Sequence, residues 1–282
     1  MNRFTFYLGS HRPSWLTRSD LDVPLFYSAP TIHRLQRERR RRPTVSGARW
    51  VLDSGAFMAV TTGNPLLPWH EDPDAYGGMA ARVVDEVGIL PDFAAPQDFP
   101  CEPTVRAITG LSVADQQDLT TASYEWLADG FPWIPWVRVV QGWTVPEYLR
   151  HLDDYAARGV DLSADPVVGL GSVCRRGSAR PVVAVVQAIQ AHAVELWGRP
   201  LRLHAFGINV RALREVAHLL ASSDSLAWSD TARKESIRLP GCTHEAQYCQ
   251  GCPAWALAWR DKVLAAAAQP AQLDLLTLGA AA

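Results

Sequence analysis

Short apolar runs alternate with amphipathic stretches along most of this chain, and that alternation limits its fold more than any other feature. Eight runs read as strands: Phe4–Leu8, Leu25–Ser28, Trp50–Asp53, Asp92–Ala95, Trp136–Val140, Val167–Gly171, Arg202–Phe206 and Ser223–Ala227. Between and after them, helical periodicity or start signals predict helices over Pro73–Glu86, Ala114–Ala128, Pro146–Arg158, Pro181–Leu196 and Val210–Leu220. Ser112 and Thr144 are the expected helix starts for two of these. A β–α succession gives a parallel sheet covered by helices. A doubly wound open sheet produces much the same pattern, but eight strands within 282 residues favour a single α/β unit, a (β/α)8 TIM-like barrel. Residues 1–240 are assigned to the barrel, and 241–282 to a metal-binding segment with a C-terminal helix packed on it.

Bulk composition narrows the function classes. A formal net charge of −2 supplies no general attraction to nucleic acid, so any such attraction must be local. The first residues lack the apolar stretch of a signal peptide and no run reaches membrane-spanning length, so a cytoplasmic protein without membrane contact is expected. The 11 tryptophans are expected mostly in the core.

In a barrel the C-terminal ends of the strands line the active site. Here those ends read Asp53-Ser54-Gly55-Ala56-Phe57, Pro96-Gln97-Asp98-Phe99-Pro100, Val140-Gln141-Gly142-Trp143, Gly169-Leu170-Gly171-Ser172, His204-Ala205-Phe206-Gly207 and Asp224-Ser225-Leu226-Ala227-Trp228. Carboxylates, an amide and exposed main chain suit a flat heterocycle rich in hydrogen-bonding groups, such as a purine. Taken singly, each segment has a plainer reading. Asp-Ser-Gly is often a turn or a cap, Asp224-Ser225 can begin a helix, and the glycines can be packing residues. Asp230 is a second aspartate six residues beyond Asp224.

A second signal lies near the C-terminus. Cys242, His244, Cys249 and Cys252 place four N/S ligands within eleven residues, a complete tetrahedral set for a structural Zn²⁺. Cys101 and Cys174 stand apart as ordinary buried or near-site thiols.

Together the segments over roughly Trp50–Cys252 resemble the queuine and archaeosine tRNA-guanine transglycosylases, and most closely the branch that inserts 7-deazaguanines into DNA. The resemblance implies that Asp53 is a general acid/base and that Asp224 attacks the sugar. It implies that Asp98 reads the guanine N1 and 2-amino edge, that Gln141 donates to O6, and that Ser54 belongs to the base site. The Gly171-Ser172 turn matches a Gly-Gly turn whose backbone N–H contacts O6; serine replaces the second glycine here. In the zinc segment the family's pattern is Cys-x-Cys-x-x-Cys with a distant histidine, whereas here His244 replaces one close cysteine and a longer loop follows.

The basic run Arg34–Arg42 reads either as a solvated helix face or as a phosphate contact. Arg175, Arg176, Arg180, Arg233 and Lys234 are further phosphate candidates near strand ends. The expected activity is exchange of guanine in DNA for a 7-deazaguanine through a covalent aspartyl–sugar intermediate. The partners are DNA, a free 7-deazaguanine base, and helper proteins or a second copy of the chain. The rivals are a tRNA-guanine transglycosylase and a non-catalytic, zinc-containing nucleic-acid-binding barrel. Retention of both aspartates with Asp98 and Gln141 argues against the binder, which needs no nucleophile. A zinc hydrolase would need histidines at strand ends, and His204 alone does not supply them.

Overall fold

The computed structural model describes residues 4–18, 20–29, 31, 49–62, 72–174 and 176–268. The basic run at 34–42, Arg175 and the alanine-rich tail from 269 lie outside them. The strands are β1 Thr5–Gly9, β2 Leu25–Ser28, β3 Trp50–Asp53, β4 Phe93–Ala94, β5 Val139–Val140, β6 Val168–Leu170, β7 Leu203–Ala205 and β8 Ser222–Ser225. All pair in parallel, in the order β4-β3-β2-β1-β8-β7-β6-β5. The two edges meet. Ala94 N–H donates to Pro135 O at 2.9 Å and Val137 N–H donates to Ala94 O at 3.0 Å, so a bridge from Ala94 to Trp136 closes the sheet into a barrel.

Closure follows the two-residue period of a strand. Tyr7, Phe26, Val51, Phe93 and Val137 form a cluster inside the barrel, joined by Phe206. Their neighbours Phe6, Leu8, Leu25, Tyr27, Trp50 and Leu52 belong to the larger core between strands and helices. The same alternation turns Asp53, two residues after Val51, inward. It also turns Asp224 inward, because Asp224 is the register partner of Tyr7.

The described helices are α1 Ala56–Thr62, α2 Pro73–Val87, α3 Pro103–Thr109, α4 Val113–Gly130, α5 Val145–Ala157, α6 Arg180–Trp197, α7 Val210–Val216, α8 Ala227–Lys234 and α9 Pro253–Ala267. Their ends match their sequences. Ser112 and Asp115 form a capping box before α4, and Thr144 and Glu147 form another before α5. Gly88 ends α2 in the left-handed conformation at φ 70°. Most of the described tryptophans are core residues, as expected, with Trp126 and Trp133 the exceptions at 54% and 46% exposed. No helix among the described residues is long and apolar enough to cross a membrane.

Candidate active site

At the C-terminal mouth of the barrel the inward residues of the strand ends enclose a cavity of about 190 Å³. That is smaller than the roughly 300–1,000 Å³ of clefts for drug-sized ligands and suits a single flat ring system. Phe26 and Phe206 line it beside Asp53, Asp98, Asp224, Glu102 and the Gly171-Ser172 turn. His204 lies beneath, inside the barrel, fully buried and ringed by Tyr7, Phe26, Phe93 and Phe206 at centroid distances of 4.6–6.0 Å.

Asp53 ends β3. Its Oδ2 accepts the Gly55 N–H at 3.1 Å, in a turn where Gly55 takes φ 70°. Burial pushes the Asp53 carboxyl well above the usual carboxylate range, and the charges of Asp98 and Asp224 push it further. The carboxyl that faces the cavity is thereby biased towards its protonated form. Asp224, the penultimate residue of β8, is 5% exposed and accepts the Gly207 N–H at 2.8 Å. His204 Nε2 stands 3.3 Å from Asp224 Oδ1 without hydrogen-bond geometry, while its Nδ1 meets Ser222 Oγ at 2.8 Å. Asp230 sits instead on α8, half-exposed, in ion pairs with Arg233 at 2.9 Å and Lys234 at 2.5 Å.

Asp98 is held from two sides. Ser54 Oγ donates to Oδ1 at 2.5 Å and Gln141 Nε2 donates to Oδ2 at 2.6 Å. Two donors of this kind favour the ionised form, although burial raises the carboxyl's pKa. Gln141 is fully buried and does not itself line the cavity; it bridges Asp98 and Ser172 from behind, its Oε1 accepting the Ser172 hydroxyl at 2.7 Å. Behind it His151 Nδ1 accepts the Gln141 N–H at 3.0 Å, and burial pushes that imidazole down to about 4, so it is neutral. A Cβ at position 171 would lie 2.3 Å from Gln141 Nε2, so any side chain there would displace the amide. The Gly171 N–H is already bonded to Val140 O at 3.0 Å. Ser172 keeps the left-handed backbone expected of the glycine it replaces, at φ 55°. Its hydroxyl is anchored by Cys101 N–H at 2.8 Å and by Glu102 Oε2 at 3.0 Å.

Sequence reasoning missed Glu102, which is 3% exposed and lines the cavity. Its signal was a carboxylate four residues beyond Asp98 on the same strand-end loop. Among the phosphate candidates, Arg176 turns inward: its guanidinium donates to Ser172 O at 3.1 Å and Trp143 O at 2.7 Å and lies 4.2 Å over the Trp143 ring.

The ligand atoms of Cys242, His244, Cys249 and Cys252 lie within 4.8 Å of one another. The sulfur of Cys242 is 3.6 Å from those of both Cys249 and Cys252, and His244 Nε2 is 3.4 Å from Cys249 Sγ. Zn–S bonds near 2.3 Å in a tetrahedron would separate sulfurs by about 3.8 Å, so the group is compatible with zinc. Outer contacts hold it: His244 Nδ1 meets Ala246 O at 3.1 Å, Leu239 N–H donates to Cys249 Sγ at 3.3 Å, and Arg238 binds the carbonyls of Cys242 and His244, each at 3.1 Å.

The family model described as DpdA: DeoxyPurine in DNA protein A matches residues 1–282. A search of curated proteins finds no match.

Proposed function

Because the chain belongs to the DpdA (DeoxyPurine in DNA protein A) family, we propose that it is a transglycosylase that exchanges guanine in DNA for a 7-deazaguanine through a covalent aspartyl–sugar intermediate. The observation that carries this reading is the convergence of Asp53, Asp98 and Asp224 on one small cavity, with Asp53 driven towards its neutral form. Asp98 accepts hydrogen bonds from guanine N1–H and the 2-amino group. Gln141 holds Asp98 in place from behind the cavity wall, its Nε2 donating to the Asp98 carboxylate. Since the Gly171 N–H is spent on β5, the Ser172 N–H is the donor that the turn offers to O6. Adenine has no N1–H beside an O6, so it leaves these groups unpaired.

Asp224 attacks the anomeric carbon. A C–O bond forms as the C–N bond breaks, and the electron pair leaves on the base. Asp53 gives that base its proton. The incoming 7-deazaguanine then loses a proton to the Asp53 carboxylate, and its nitrogen displaces Asp224 to regenerate the enzyme. Cys242, His244, Cys249 and Cys252 hold a structural Zn²⁺ outside the cavity, which stabilises the fold without entering the reaction.

Purified protein incubated with a free 7-deazaguanine and either DNA or tRNA, followed by nucleoside mass spectrometry, tests the reading. The modified nucleoside should appear in DNA and free guanine should be released. Modification confined to tRNA would favour the tRNA enzyme, and binding of DNA without exchange into either would favour the non-catalytic barrel.

A further inference from the structure

A line of hydrogen bonds runs from Ser54 through Asp98, Gln141 and Ser172 to Glu102, and its protons can be counted. Asp98 accepts on both oxygens, from Ser54 and from Gln141 Nε2. With Nε2 facing a carboxylate, Gln141 must present Oε1 to Ser172, whose hydroxyl is the donor at 2.7 Å. That hydroxyl has one proton, and it already accepts from the Cys101 N–H at 2.8 Å. The remaining contact, Ser172 Oγ to Glu102 Oε2 at 3.0 Å, therefore has no proton unless Glu102 supplies it.

We propose that Glu102 is a positioning residue that holds a proton and, by donating it to Ser172, fixes the direction of the relay so that Asp98 faces the base as an acceptor. The identity of that base rests on the transglycosylase reading; the direction of the relay does not. Surroundings support a neutral Glu102. Burial acts first, raising the pKa of a side chain that is 3% exposed, and the charge of Asp98 adds to it. The backbone N–H of Glu102 itself opposes this most, followed by the Ser172 hydroxyl and Arg176. The neighbouring Cys101 thiol is itself pushed up by burial and brings no charge of its own.

Ionisation of Glu102 would reverse the order. A carboxylate is the stronger acceptor and takes the Ser172 proton. Gln141 Oε1 then faces an oxygen with no proton to give, and the amide loses the bond that orients it. Turned over, it sets Oε1 against Asp98. Both results weaken the grip on guanine, although Asp98, which faces the base, has not been altered.

The test uses the whole enzyme and free 7-deazaguanine without DNA. Infrared spectra of protein carrying isotopically labelled glutamate should show a neutral carboxylic-acid band at neutral pH that shifts with the label and is missing from Glu102→Gln. As pH rises, that band should disappear, and affinity for 7-deazaguanine measured by calorimetry should fall with the same midpoint by about tenfold, the worth of one buried hydrogen bond to a charged group. Glu102→Gln keeps a neutral donor to Ser172, so it should retain the low-pH affinity and lose this dependence. Ser172→Ala should weaken binding about tenfold at every pH, and adding Glu102→Gln to it should change nothing more. A wild-type spectrum without the Glu102 acid band overturns the proposal, as does an affinity that ignores its ionisation. Because no DNA is present, a failure to exchange bases would sink the transglycosylase reading and leave this result standing.

Discussion

A carboxylate that attacks a sugar must face a cavity that admits the sugar and must not be neutralised by cations. Asp224 lines the cavity, whereas Asp230 lies half-exposed between Arg233 and Lys234. Asp224→Asn should abolish the covalent protein–DNA adduct on denaturing gels while DNA binding persists, and Asp230→Asn should keep turnover within about twofold, as surface changes usually do. The reverse pattern would move the nucleophile to α8. Asp53 yields a prediction about stability. Its folded-state pKa lies above the unfolded value of about 3.9. Between those two values the folded protein holds the extra proton, so stability falls as pH rises through the window. Asp53→Asn removes this cost. The variant should be more stable than the wild type at neutral pH, with the difference closing below about pH 4, while base exchange slows roughly 10²–10⁴-fold. Urea midpoints at the two pH values measure it, and a gap that does not change with pH would count against a buried neutral Asp53.

At the scale of elements, what could be read from the sequence was what periodicity writes. β2 and β3 have the bounds that their apolar runs predict, and α4 and α5 begin at the Ser112 and Thr144 caps. Strands such as β4 and β5 are only two residues long because the barrel pairs them briefly, and an apolar run does not say where pairing stops. The helices α1, α3 and α8 were missed for a related reason. They have only seven or eight residues, too few for a helical period to stand out. The site residues lie at the strand ends and in the loops that lead into such helices. The strand-end rule brought Asp53, Asp98 and Asp224 to one mouth, because inward alternation is legible from the chain alone. Gln141 behind the wall and His204 beneath it depend on side-chain packing, which no spacing encodes, whereas Glu102 left only the weak signal of a carboxylate four residues beyond Asp98.

For the molecule as a whole, the metal segment and the cavity are distant in function but joined by one core. Cys252 caps α9. From there Trp255 Nε1 donates to Trp228 O at 2.9 Å, and the Trp259 ring lies 6.0 Å from Phe6 on β1. Trp228, on α8, donates to Gly9 O at 2.8 Å, and Ser229 donates to Gln250 O at 2.7 Å. The Cys/His segment is thus tied to β1 and to the helix that follows Asp224. If the segment holds zinc as proposed, losing the ion should loosen the end of the barrel that carries Asp224, not only the C-terminal helix. Cys249→Ser, or removal of metal by a chelator, should cost several kcal/mol. In a chain of this size that lowers Tm by about 10 °C. Far-ultraviolet circular dichroism and tryptophan fluorescence should report one shared transition, because the helix and the barrel have a common core. Base exchange should fall in step with metal content, although no ligand of the ion lines the cavity. Cys101→Ser is the control: it removes a buried thiol outside the metal set and should leave metal content unchanged. Metal-depleted protein, verified by metal analysis, that melts and exchanges bases like the wild type would show that the Cys/His segment supports nothing beyond itself.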